Sequence, residues 1–279
     1  MGREENVKVF EDTKKLYNKN EKLKNAINSS ISNNLFYAEG NSLDIEERDP
    51  FETKVIVNQY RSFEAAKYLL KNGCTKVCVH NFASATNPGG GVERGSSAQE
   101  EALCRISTLY PCLNEGKVFK DFYVKHRNGL GPLHNDDCIY TPGVVVFKTD
   151  TSNPILLEEK DWFNVDVITC AAPNLREKPR NSMNSFESNK AIKITDKELY
   201  DIHVKRLQRI FDIAYLNGND SLVIGAFGCG AFQNNPYVVS RATKDVIEKN
   251  KGKFKVICLA IYCSPKDDSN YKAFKGLAK

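Results

Sequence analysis

Residues 81–101, NFASATNPGGGVERGSSAQEE, join three local patterns. Upstream, Lys76 to Asn81 (KVCVHN) alternates and is β-branched like a strand. Pro88 and glycines 89, 90, 91 and 95 break the middle into a loop, and an amphipathic helical pattern begins near Ala98. The order is strand, glycine-rich loop, helix. Glycines let backbone N–H groups approach an anion, and the helix N-terminus adds a favourable dipole, so a phosphate-bearing ligand fits the loop. Glu100 and Glu101 come directly after it. Two carboxylates within a turn of a phosphate cradle repel the phosphate unless they have another task, and acid–base chemistry on a neighbouring sugar is such a task.

A second glycine run, GAFGCGAF at 225–232, comes after another apolar stretch and leads to Asn235–Pro236. The spacing Gly89-Gly90-Gly91, seven residues, Gln99-Glu100-Glu101 resembles the GGG…QEE signature of poly(ADP-ribose) glycohydrolases in their compact bacterial form, members of the macrodomain superfamily. The run at 225–232 resembles that family's second phosphate loop, and the resemblance spans most of the chain. It implies a three-layer α/β/α macrodomain-like sandwich with a mixed central sheet and an N-terminal helical extension. It implies hydrolysis of ribose–ribose bonds with Glu101 protonating the departing ribose 2′-oxygen and Glu100 holding ribose hydroxyls. Substrate-binding positions carried over are Asn87, Gly89, Gly90, Gly91, Val92 and Gln99 in the first region. In the second they are Gly228, Cys229, Gly230, Ala231 and Phe232, with Asn174 on the adenosine side. The implied partners are poly(ADP-ribose) or ADP-ribosylated macromolecules and the product ADP-ribose, with no cofactor, no metal and no membrane, and a monomeric chain. A non-catalytic ADP-ribose reader and a mono-ADP-ribosyl hydrolase share the same cradle.

The residues alone leave several alternatives open. Ser97 to Glu100 is also a capping box, in which Glu100 would only reach back to the Ser97 N–H. Glu101 is turned about 100° around the helix and cannot make that cap. Were Glu101 the acid, desolvation and Glu100 would raise its pKa against a smaller opposing effect of the helix dipole. Neighbouring carboxylates on one helix cannot straddle a sugar across the roughly 5–9.5 Å of ordinary glycosidases, which suits a single-acid mechanism. Gly228 and Gly230 make either a cradle or a tight turn. Phe232 stacks on ligand or packs in the core, and Asn87 contacts ribose or only shapes a turn. Cys229 is a conceivable nucleophile with no histidine near it in sequence.

The 279 residues suffice for one large domain. A hydrophobic content of 41% and a charged content of 27% are those of a globular protein rather than a disordered one. Forty Lys and Arg against 35 Asp and Glu give a net charge of +5, which fits either a polyanionic substrate or a lysine-rich solvated surface. Nine cysteines without a CxxC pair, several within apolar runs, indicate an intracellular, reducing setting. The four histidines match no metal-ligand spacing. No apolar run reaches membrane length, and the N-terminus lacks a signal-peptide core.

Residues 1–50 read as an N-terminal helical accessory segment on a core of 51–279. Helical spacing over 7–30 is interrupted at 18–20, and the segment either caps a ligand or covers a sheet edge. Strands are expected at 34–39, 53–57, 165–171, 222–227 and 254–262, and a hairpin at 139–147 around Pro142–Gly143. Helices are expected from Ser62 to Asn72, from Ala98 to Pro111, from the Thr195/Glu198 capping box to Leu216, and from Pro236 to Lys249. Residues 114–136 read as a polar surface excursion, 175–194 as a mobile loop, and the C-terminal tail as frayed. This alternation gives an α/β sandwich with its ligand at strand C-terminal ends.

Overall fold

The computed structural model describes residues 2–129, 131–182, 185–264 and 267–278. The chain opens with α1 (Arg3–Lys19) and α2 (Glu21–Ser32), separated at Asn20, which ends the first helix and caps the second by accepting from the Leu23 N–H. Then come β1 (Leu35–Tyr37), β2 (Lys54–Asn58), α3 (Ser62–Lys71) and β3 (Val77–Phe82). Beyond the glycine loop lie α4 (Gln99–Ile106), α5 (Leu109–Leu113), α6 (Gly116–Val118), α7 (Lys125–Arg127), β4 (Cys138–Val146) and β5 (Phe163–Cys170). The chain closes with α8 (Asp196–Leu216), β6 (Ser221–Ile224), α9 (Pro236–Lys249), β7 (Val256–Ala260) and α10 (Ser269–Phe274).

The seven strands form one sheet in the order β1-β4-β5-β3-β6-β7-β2. β5, β3, β6, β7 and β2 are mutually parallel, and β4 pairs antiparallel with both β1 and β5. Side chains alternate across the sheet as the pleat requires. Val77, Val79 and Val223 join Phe10 of α1, Phe63 of α3 and Leu103 of α4 in one apolar layer. Cys78, Leu222, Ile224 and Ile257 join Ile210 of α8, Val246 of α9 and Phe274 of α10 in the other. Helices therefore cover both faces of a mixed sheet. The leading segment supplies α1, α2 and the edge strand β1, which pairs with β4. Among the described residues no helix is long and apolar enough to cross a membrane.

Several sequence expectations are corrected. Residues 138–146 are one strand rather than a hairpin, because both halves pair with β5 and the Thr141–Val144 interval is a β-bulge. The helix after the glycine loop ends at Ile106, since Ser107 is extended and bridges Val146. Pro111 is then the third residue of α5, where its missing N–H costs no intrahelical bond. The stretch 114–136 is no surface excursion: a π-helical segment, Phe119–Val124, buries Phe122 and Tyr123 completely, while Leu130 lies outside the described residues. The tail forms α10 and buries Phe274. Residues 175–194 hold no helix or strand among their described members, Met183 and Asn184 lying outside that set, yet Glu187 within them is buried.

Candidate active site

Parallel strands direct their C-terminal ends to one edge, and there the chain leaves a cavity of about 580 Å³, within the range of small-ligand sites. Its walls come from the residues just beyond each strand: Tyr60 and Arg61 after β2, Ala83 and Ser84 after β3, Ala172 after β5, the second glycine turn after β6, and Tyr262 after β7. The N-terminus of α4 closes the floor with Gln99, Glu100 and Glu101.

Three consecutive residues there have three different duties. Gln99 is committed to the scaffold: its Nε2 donates to Ser62 Oγ at 3.0 Å and to the His80 carbonyl at 2.8 Å, and its Oε1 accepts from the Phe82 N–H. It ties α4 to β3 and α3. Glu100 is buried and uses both oxygens, one accepting from Asn81 Nδ2 at 3.2 Å and the other from the Ser84 N–H at 2.7 Å. The capping-box alternative is thereby excluded, because Ala98 is the N-cap and no side chain caps it. Burial, and after it the neighbouring Glu101, pushes the Glu100 carboxyl well above the usual carboxylate range, outweighing the Ser84 and Asn81 hydrogen bonds. Sequence reasoning had placed that desolvation effect on its neighbour. Glu101 spends only Oε1 on the described protein, accepting from the Gly91 N–H at 2.9 Å.

The first glycine turn fits against this pair. Gly90 has φ +59°, and a Cβ there would lie 2.5 Å from Glu101 Oε1 and 3.2 Å from Glu100 Oε2. Only glycine lets the backbone pass so close to both carboxylates. The second turn is held from behind. Asn234 is buried, and its Nδ2 donates to the Pro173 and Phe232 carbonyls while its Oδ1 accepts from His203 Nε2 at 2.7 Å. Burial lowers the His203 pKa to about 4, so near neutral pH the ring is uncharged and can donate that proton.

Of the sequence-derived positions, the cavity brings together Gly90, Gly91, Gln99, Glu100, Glu101, Gly228, Gly230, Ala231 and Phe232. The remaining positions stand behind the lining. Gly89 packs under Tyr110 and Cys104, and Val92 lies in the apolar layer beside α1. Asn87 is buried with its N–H on Ser84 Oγ, and Asn174 is fully buried with its Oδ1 accepting from Arg176. Burial pushes the Cys229 thiol far up, which withholds the thiolate a nucleophile needs. Sequence reasoning missed Asn81, Ser84, His203 and Asn234, whose roles depend on strand register and loop folding. It also missed Arg176, which lines the cavity from the irregular segment after β5.

A mixed α/β/α sheet with a nucleotide-sized cavity at its strand ends, floored by an acid pair, defines a macrodomain-type glycosidase. A family model for the catalytic domain of microbial-type PARG, the poly(ADP-ribose) glycohydrolases, matches residues 4–149, and the chain belongs to that family. Among solved structures, it is similar to the poly(ADP-ribose) glycohydrolase of Thermomonospora curvata at 26% identity and a TM-score of 0.82, over 99% of this chain and 100% of that one. The same enzyme bound to the inhibitor ADP-HPD gives 25% identity and a TM-score of 0.80 over 98% and 99% of the two chains. The Deinococcus radiodurans enzyme in complex with ADP-ribose gives 27% identity and a TM-score of 0.75 over 90% of this chain and 96% of that one. No curated protein matches the sequence.

Proposed function

We propose that this chain hydrolyses the ribose–ribose O-glycosidic bonds of poly(ADP-ribose) from chain ends, releasing ADP-ribose, with Glu101 as the general acid. The observation that carries this assignment is the unequal use of the two carboxylates. Both oxygens of Glu100 are occupied by the protein, whereas Glu101 gives up only Oε1 at the cavity floor. As general acid, Glu101 gives its proton to the departing 2′-oxygen as the anomeric C–O bond breaks. Water adds to the oxocarbenium-like carbon, and its proton returns to the carboxylate. Glu100, fixed by Asn81 and Ser84, orients ribose hydroxyls, and the two turns flank the diphosphate with backbone N–H groups.

Release from chain ends is supported by α1, which packs against Gly95 and braces the loop that brings Ser96 to the cavity wall. The Gly95 backbone packs against the Arg3 carbonyl, Asn6 Nδ2 donates to the Gly95 carbonyl at 3.0 Å, and Arg105 bonds the Ser96 carbonyl. Nine free thiols, seven of them buried, support action in a reducing compartment.

The test measures ADP-ribose liberated from poly(ADP-ribose) by wild type and by Glu101→Gln. The variant is expected to lose about 10²–10⁴-fold in kcat while still binding ADP-ribose. A wild-type protein that binds ADP-ribose but liberates none would instead be a reader. Oligomeric products at early times would place the cut inside the polymer.

A further inference from the structure

We infer that Arg176 is a substrate-contacting residue, the cation that meets the diphosphate beside the second glycine turn. This inference rests on the function proposed above. A diphosphate entering a cavity floored by two carboxylates needs a counter-charge, and backbone N–H groups supply only partial charges. The lining offers two arginines. Arg61 is at the far strands, its guanidinium 4.0 Å from the Tyr262 ring centroid. Arg176 is at the turn itself, with its guanidinium carbon 5.5 Å from the ring centroid of Phe232.

The placement of Arg176 is built into the scaffold. Its N–H and Nε donate to Asn174 Oδ1 at 3.4 and 3.2 Å, and Nη2 reaches the Pro179 carbonyl at 3.5 Å. Nη1 has no hydrogen-bond partner among the described residues. Burial lowers the Arg176 pKa, while the charges of Glu187 and Glu101 oppose that shift, so the guanidinium interacts electrostatically with the catalytic floor.

A latch fixes the segment that carries it. His134 Nδ1 lies 2.7 Å from the Ala172 carbonyl, and Nε2 lies 2.9 Å from Glu187 Oε2. The ring thus bridges the Ala172 carbonyl and the Glu187 carboxyl. Glu187 also receives Asn174 Nδ2 at 3.5 Å. Burial works to raise the Glu187 carboxyl, but the His134 bond and charge hold it below the usual range. The latch joins the end of β5, Asn174 and Glu187, and so braces the Asn174 side chain that holds Arg176.

The experiment titrates the full chain with ADP-ribose and, separately, with adenosine, and monitors polymer cleavage, for wild type, Arg176→Ala and Arg176→Lys. The alanine variant is expected to bind ADP-ribose about 10- to 100-fold more weakly and to raise KM comparably with kcat little changed. Adenosine affinity stays the same, and lysine restores part of the loss because charge returns without the planar fork. Equal ADP-ribose affinity and KM in wild type and Arg176→Ala overturn the contact while leaving the glycohydrolase assignment intact. Equal losses for ADP-ribose and adenosine also overturn it, since they mark a structural role. Arg176-dependent binding by a wild type that cleaves nothing keeps the contact and removes the glycohydrolase assignment.

Discussion

Gly90→Ala separates the cost of a strained backbone from the cost of a displaced acid. At φ +59°, alanine enters the left-handed region at roughly 1–2 kcal/mol. For a chain of this size that lowers Tm by about 2–8 °C. The new methyl would also stand 2.5 Å from Glu101 Oε1, where ordinary contact begins at 3.4 Å. The difference, 3.4 less 2.5, moves the carboxylate by 0.9 Å if the backbone holds. A misplacement of about 1 Å costs roughly 10²-fold in rate. Gly40→Ala is the control, because Gly40 has φ +81° and nothing within 4 Å of a built Cβ. Both variants are expected to lose comparable thermal stability, but only Gly90→Ala should lose kcat for ADP-ribose release. The reasoning fails if Gly90→Ala keeps kcat within twofold of wild type, or if Gly40→Ala loses activity equally.

The raised Glu100 carboxyl makes stability depend on pH. Between the ordinary glutamate value near 4.3 and its raised folded value, the folded state holds a proton that the unfolded chain releases, so stability falls as pH rises through that window. Urea midpoints across the window should show this slope, and Glu100→Gln should flatten it. Gly95→Ala should loosen α1 from the loop beside the cavity, since a Cβ at Gly95 would lie 2.2 Å from the Arg3 carbonyl oxygen. Gel analysis of the cleavage products is then expected to show short oligomers beside ADP-ribose.

Elements whose ends are written locally were legible in the sequence. Thr195 with Glu198, and Asn235 with Pro236, mark α8 and α9 where the structure places them. The bulge in β4 was not legible, because Pro142–Gly143 carries the same turn signal whether the flanking segments pair with each other or, as found, with β5. The end of α4 was hidden for a similar reason: Ser107 leaves the helix to bridge a strand 39 positions later. At the site, the acid pair and both glycine turns could be read from spacing. The groups that assign work within the pair could not. Asn81 and Ser84 meet Glu100 only once β3 and α4 are packed, and Arg176 depends on the distant contacts of Glu187.

The sheet order has a consequence for biosynthesis. β2 lies at an edge, and its one strand neighbour is β7, with Lys54 opposite Val256. On the ribosome that edge must wait, unpaired, through some two hundred further residues. Such distant pairing slows folding. A nascent chain interrupted before β7 would expose an unsatisfied row of β2 amides, a hazard for aggregation that chaperones would have to contain.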